Sequence, residues 1–521
     1  MTDTLAVSNA APPLGGDAPR LHAGILLVGL ATLATWLFYD PPLGVALPLF
    51  LILLCAAALA LTPITAGLRP RMLAFAAMIA VLAALVNDVG TLSLSLAIIA
   101  IAGALLALTG RWRDGLGAKA MAIGALLVTG PKRLVADSLD GWAWWCERQR
   151  APILLPLVIR WAVPVGLGLI FCLLFASANP LLSLWLSRLP WAAAGDLVDI
   201  RRLLFWVAAL ALIWPFLRLV APKAMVAAAR LPQAEGLGAW RALLLSPATL
   251  VRALVLFNGL FALQSALDLF YLWTGHALPD GITHASYAHQ GAYPLVVTAL
   301  LAAAFVLLAL GRQAPSRLVT GLIIAWVAQN ILLVLSAILR LAAYVAAYSL
   351  TELRLAAFVW MGLVATGLVL ILVRIALDRP NRWLVGANLC TLALTLYALC
   401  WINSTALIAD YNVAHCQEMA GDGPSLDWIY LARLGPQALP ALDHYRAALQ
   451  DRASPLSTTD EKALTDREAT LKAGYQTRLA DWRSWSLREE RLRHYQAAHP
   501  DGIDLEGGPR DGAAARAESQ P

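Results

Sequence analysis

The stretch that decides the fold is "LVTGLIIAWVAQNILLVLSAILRLAAYVAAYSLTELR", residues 318–354. Residues 318–339 carry no charged side chain and show no period-two alternation. About 20 such residues in a helix cross roughly 30 Å of hydrocarbon, so the run predicts a transmembrane helix. Beyond it Arg340, Tyr344, Tyr348 and Glu352 recur at every fourth position, which is one face of a helix. Tyrosines and charges at the end of an apolar run suit a membrane–water interface. Ser349-Leu-Thr-Glu352 fits the S-x-x-E capping box and predicts that a second helix starts there, with Ser349 and Glu352 as reciprocal caps.

The rest of the chain repeats the pattern. Of 521 residues, 60% are hydrophobic and 14% charged, and the mean hydropathy is +0.68. A soluble domain of this size would need more charge to cover its surface. Eleven segments fit a spanning helix: 22–39, 43–62, 72–87, 91–109, 153–177, 203–220, 248–273, 292–311, 318–340, 354–374 and 383–409, with the third the shortest. Lipid demands that every backbone N–H and C=O be paired within the segment, and the runs lack the alternation of a β-barrel. The expected class is therefore all-α: a polytopic transmembrane bundle over 22–409, a helical region over 410–498, and disordered ends at 1–21 and 499–521.

Lys and Arg set the orientation. The turns after the second, fourth, sixth, eighth and tenth runs carry Arg69 and Arg71; Arg111 through Arg133; Lys223, Arg230 and Arg241; Arg312 and Arg317; and Arg379 and Arg382. The turns after the first, third and seventh carry none, and the turn after the fifth is an exception, with Arg188, Arg201 and Arg202. The positive-inside rule then places the N-terminus in the cytoplasm and the C-terminal region on the outer side of the membrane. Charge is divided accordingly: residues 1–409 hold 26 Lys and Arg against 15 Asp and Glu, residues 410–521 hold 13 against 18. Topology accounts for the excess of +6 without a nucleic-acid partner. Residues 131–150 and 180–202, rich in Trp and Arg, read as interfacial helices. The region after Asp410 reads as helices at 426–434, 437–452 and 459–497, the last with an apolar stripe from Leu464 to Leu492 that needs a partner surface.

Polar residues inside apolar runs are the informative ones. Gln264 and Asp268 share a face of the seventh run. Asp268 lies about 31 Å along that helix, near the outer interface. Arg340 stands on the side where the positive-inside bias disfavours it, at similar depth, so the two are expected to pair. Gln329 and Asn330 read as interhelical hydrogen-bond partners. His276, His284 and His289 invite a metal reading, but a spacing of five does not align the last two on one helix face, and no Cys or Glu completes a set. The six cysteines form no C-x-x-C pair. No phosphate-binding, zinc-protease or serine-hydrolase motif is present, and no cofactor is expected.

Three stretches, "THASYAHQGAYPL" (283–295), "NILLVLSAILRLAAYVAAYSLTELR" (330–354) and "DWRSWSL" (481–487), resemble a bacterial multi-pass membrane family known as domain of unknown function 4153/4173. The resemblance covers most of residues 150–490 and is strongest at 283–354. The family pattern has Gly where this chain has Ser349 and a larger residue where it has Ala292. It implies an integral membrane protein and supplies no reaction, so no catalytic residue carries over. The leading functional expectation is a scaffold or sensing protein without catalysis, its polar patch formed by Asp268, Arg340, Tyr344, Tyr348, Glu352, His284 and His289. Its partners would be the bilayer and an envelope protein held by the C-terminal helices. A transporter with an outward-facing polar pocket and an enzyme acting on a lipid or glycan carrier are the alternatives.

Overall fold

In this computed structural model the described residues are 17–110, 115–149, 199–219, 247–270, 297, 301, 316–421, 423–451, 458–479 and 481–499. They are helical, with no strand among them. The chain divides into two compact units: Met1–Leu231 with Asp481–Ser486, and Pro232–Ala480 with Leu487–Pro521.

The first unit contains α1 (Asp17–Phe38), α2 (Ala46–Leu61), α3 (Leu68–Asn87), α4 (Thr91–Leu108), α5 (Leu116–Gln149) and α6 (Ile200–Leu217). Helix α1 begins at Asp17, inside the stretch expected to be disordered. Helix α3 has 20 residues, longer than the apolar run alone indicated. Small residues let these helices approach closely: Ala31, Ala58, Ala97 and Ala102 are fully buried among Leu54, Leu85, Ile101 and Leu105. Residues 131–149 do not form a separate interfacial helix. They continue α5, which runs through Pro131, and Gly130 packs where a Cβ would lie 2.1 Å from the Pro215 ring on α6. Asp137 accepts from the Trp214 indole at 2.9 Å and pairs with Arg218.

The second unit contains α7 (Pro247–Asp268), α8 (Arg317–Tyr348), α9 (Glu352–Ala376) and α10 (Asn381–Leu399). Helices α7 and α8 run parallel: Asn258 donates to the Leu322 carbonyl at 3.1 Å, Phe257 stacks on Trp326, and Asp268 meets Arg340. The core of this layer is Leu254, Ile323, Trp326, Val327, Val334, Ala337, Met361 and Leu368.

Among the described residues six helical stretches are long and apolar enough to cross a bilayer: α3, α4, Val251–Asp268 of α7, α8, α9 and α10. The chain is thus a membrane protein. Eleven crossings are not established by these helices: α1 and α2 contribute shorter apolar stretches, and the expected runs 153–177 and, apart from residues 297 and 301, 292–311 lie outside the described residues. The expected final run, 383–409, is two helices. α10 ends at Leu399 and α11 (Ser404–Ala414) restarts four residues after Cys400, its first turn capped by the Asn403 side chain on the Ala406 N–H at 3.2 Å.

Beyond α11 lie α12 (Gln417–Ala420), α13 (Trp428–Leu434), α14 (Leu439–Asp451), α15 (Thr458–Leu479) and α16 (Leu487–Ala498). They close around Leu431, Leu442, Tyr445 and Leu464. Arg446 pairs with the fully buried Glu468; burial raises that carboxyl above its ordinary range, and Arg446 opposes the rise.

The single helix expected over 459–497 is broken, because residues 481–486 belong to the first unit. Arg483 binds Asp481 through Nε at 2.9 Å and Nη2 at 2.6 Å, and donates through Nη1 to the Trp36 carbonyl at 2.6 Å. That carbonyl lies in the last turn of α1, where an intrahelical donor is lacking. The Arg483 hydrogen bonds hold the Asp481 carboxyl below its ordinary value. The Val45 N–H donates to the Trp485 carbonyl at 2.7 Å, and a Cβ on Gly44 would lie 2.2 Å from the Ser484 carbonyl carbon. Only glycine admits this strap. Gly44→Ala is expected to cost about 1–3 kcal/mol, as overpacking does, and to release residues 481–486. Ser486 is 4% exposed, so a Ser486→Cys probe should react slowly with maleimide in the parent and several-fold faster beside Gly44→Ala. Equal rates would remove the strap from the account.

Candidate polar site at the α8–α9 turn

Helix α8 carries Arg340 to one end of the second unit, and α7 carries Asp268 to the same end. Their side chains are 3% and 1% exposed and form an ion pair. Gln264, one turn before Asp268, donates to its Oδ1 at 3.0 Å. The pairing follows from depth: each residue lies about 31–35 Å from the start of its helix, and the helices are parallel. Two buried charges at this depth are tolerated because each neutralises the other.

The turn itself departs from the expected capping box. Ser349 does not cap α9; it has φ +66° and ψ +165°, a conformation L residues rarely adopt. The cap is Thr351, whose hydroxyl accepts from the Arg354 N–H at 3.4 Å. Glu352 does not reach back to Ser349. Its side chain is exposed and acidic in the first turn of α9, where the helix dipole favours it, and its N–H donates to the Tyr430 hydroxyl at 3.0 Å. The reason is geometric: the chain needs a left-handed residue to reverse after α8, and a residue in that conformation cannot also serve as the extended N-cap.

Side chains from both helices and from distant sequence close the turn. Arg354 donates to the carbonyls of Tyr348 and Ser349 and sits 4.5 Å from the Tyr344 ring centroid, with the Tyr344 and Tyr348 rings 4.8 Å apart. Asn412 on α11 accepts from the Leu350 N–H at 2.6 Å and donates to the Leu350 carbonyl at 2.9 Å. Leu350 packs with Val345 and Ile408 in a small core of its own. Burial raises the Tyr430 hydroxyl's pKa, opposed by its bond to Glu352.

The structure therefore brings together Asp268, Arg340 and Gln264, and separately Tyr344, Tyr348 and Arg354. His284 and His289 lie outside the described residues. The sequence reading missed Thr351, Arg354, Asn412 and Tyr430. Thr351 followed by an acidic residue is a local N-cap signal. Asn412 has none, being 62 residues from its partner.

Removing one partner of the pair strands a buried charge at about 3–5 kcal/mol. Arg340→Ala and Asp268→Ala should each lower the detergent-solubilised unfolding temperature, with the double variant no worse than either single. Strictly additive losses would show that the pair is not coupled. Ser349→Gly relieves the strained φ and is expected to raise stability by about 1 kcal/mol; a fall in unfolding temperature would show that the serine side chain matters more than the backbone.

No curated protein and no solved structure matches this chain. A family model does match, described as a domain of unknown function (DUF4153), over residues 24–445. The match spans more than half of the chain and includes Asp268, Arg340, the α8–α9 turn, Asn412 and Tyr430, and by it the protein belongs to the DUF4153 family.

Proposed function

We propose that this is an inner-membrane protein of the bacterial envelope that acts without catalysis, as a scaffold or sensor. In this reading a bundle of eleven crossings carries the N-terminus in the cytoplasm and presents helices α11–α16 to a periplasmic partner. The supporting observation is how the polar side chains at the α8–α9 turn are used. Asn412 and Tyr430, from the helices after residue 403, hold the backbone of Leu350 and Glu352, so the membrane hairpin and the helical module meet at a hydrogen-bonded joint. A change in tilt of α8 or α9 would be passed to α11 and α13 through these bonds.

The orientation is supported by where arginines collect in the second unit. Helices α7, α8 and α10 start, and α9 ends, at the end that bears Arg252, Arg317, Arg374, Arg379 and Arg382. Positive charge of this density marks the cytoplasmic side. The helices after α10 lie beyond the opposite end of that span.

A second reading, transport, is favoured by the buried Asp268–Arg340 pair, since charges inside membrane helices often line solute paths. Phosphatase fusions test the orientation, and crosslinking together with solute uptake separates the two readings. Alkaline phosphatase fused after Gly421 is expected to be active, and fused after Asp378 inactive. A photo-crosslinking residue at Ile429 or Arg491, both exposed, is expected to capture a discrete envelope protein in living cells. Inactive phosphatase at 421 would overturn the orientation. Absent crosslinks, together with solute uptake by proteoliposomes that Asp268→Asn abolishes, would replace the scaffold with a transporter.

A further inference from the structure

The groove between α9 and α10 and the arginines at its end together point to a bound lipid, and we propose that they form a site for one anionic glycerophospholipid. This inference is independent of the functional reading above.

The groove has a volume of about 370 Å³ and is lined by Trp360, Gly367, Ile371 and Val385, among others, with Asn388 and Thr391 its polar members. Both polar side chains are bonded back to their own helix, Asn388 to the Leu384 carbonyl at 2.9 Å and Thr391 to the Ala387 carbonyl at 3.0 Å. What the groove offers is hydrocarbon. Its volume is in the range of small-molecule sites. It cannot be closed by α10, which buries only Leu384 and leaves Val385, Leu389 and Leu394 exposed. Gly367 keeps the groove narrow, since a Cβ there would lie 3.0 Å from the Asn388 amide oxygen.

Its length selects the occupant. From Trp360 to Ile371 the groove follows α9 for about 16 Å, half of the roughly 30 Å hydrocarbon thickness. That is the depth of one leaflet. An acyl chain entering from the arginine end would lie along the groove for that depth.

The end of the groove fits a phosphate. Arg374 lies one turn beyond Ile371 and two beyond Gly367 on α9, so it continues the groove-facing side. Arg382 precedes Val385 and Leu389 by the same intervals on α10. Arg379 sits in the turn between them. The buried Nε of Arg374 has no acceptor among the described residues. Against these three arginines the turn carries one acid, Asp378, which is exposed. Guanidinium groups recognise phosphate oxygens through paired donors, and basic pockets between membrane helices bind anionic headgroups.

The test is native mass spectrometry of the full-length, detergent-purified protein. It is titrated with phosphatidylglycerol, with phosphatidylcholine of the same chains, and with sodium phosphate. The first phosphatidylglycerol is expected to bind at least about tenfold more tightly than phosphatidylcholine. Arg374→Gln with Arg382→Gln should abolish that preference, and Arg382→Gln alone, at an exposed position, should reduce it in a protein that folds normally. Leu389→Trp should weaken both lipids by filling the groove, and Arg252→Gln, on α7, should change neither. Equal affinity for the two lipids, or a preference that survives the arginine variants, overturns the proposal. So does competition by free phosphate combined with indifference to Leu389→Trp, which would indicate an anion site without a chain. Disulfide-linked dimers of Leu389→Cys in place of lipid adducts would assign the groove to a second copy of the chain.

Discussion

The second unit depends on satisfying the backbone where α8 stops and α9 begins. A helix leaves its last carbonyls and first N–H groups unpaired, and at a buried end each must find a partner. Here the turn is three residues long and tight enough to force Ser349 to positive φ. Each group is met from a different place: Arg354 takes the carbonyls of Tyr348 and Ser349, Asn412 takes both polar groups of Leu350, and Tyr430 takes the Glu352 N–H. Three parts of the chain are joined because one turn needs them.

The buried charges obey the same accounting. Arg340 and Asp268 survive beside lipid-facing helices because they neutralise one another, with Gln264 adding a donor. Outside the membrane stretches, Arg446 and Glu468 repeat the device in a helical core, and Asp137 is shared between Trp214 and Arg218 in the first unit. A pair of this kind contributes little net stability against an apolar pair of the same shape, but loss of one member is costly. It therefore restricts which helices can be neighbours and in what register. Helices α7 and α8 are otherwise apolar over most of their length and could slide past each other.

Helix ends also explain the strap at residues 481–486. Arg483 supplies a donor to the Trp36 carbonyl in the last turn of α1, and Gly44 removes the Cβ that would hold the Ser484 backbone away. Helices α15 and α16 both form across 459–497, and they bury Leu464, Tyr475 and Leu492. Between them "DWRSWS" makes its contacts with the first unit, through Arg483 to the Trp36 carbonyl and the Trp485 carbonyl to the Val45 N–H.

The sequence by itself determined that the protein is helical and lies in a membrane, because long uncharged runs have one solution in lipid. It also located the Arg340–Asp268 pair, since helix rise converts residue number into depth and an isolated charge at depth demands a partner. It could not determine what the turn at Ser349 does. Capping depends on φ and ψ, and the local string S-L-T-E fits both a Ser349 cap and the Thr351 cap that is found. Nor could it reveal Asn412 holding Leu350 across 62 residues, the return of residues 481–486 to α1 and α2, or the groove beside Arg374 and Arg382. Periodicity and charge act along the chain and are visible in order of residues. These contacts act between segments whose proximity is set by packing, and only the tertiary structure brings them within reach.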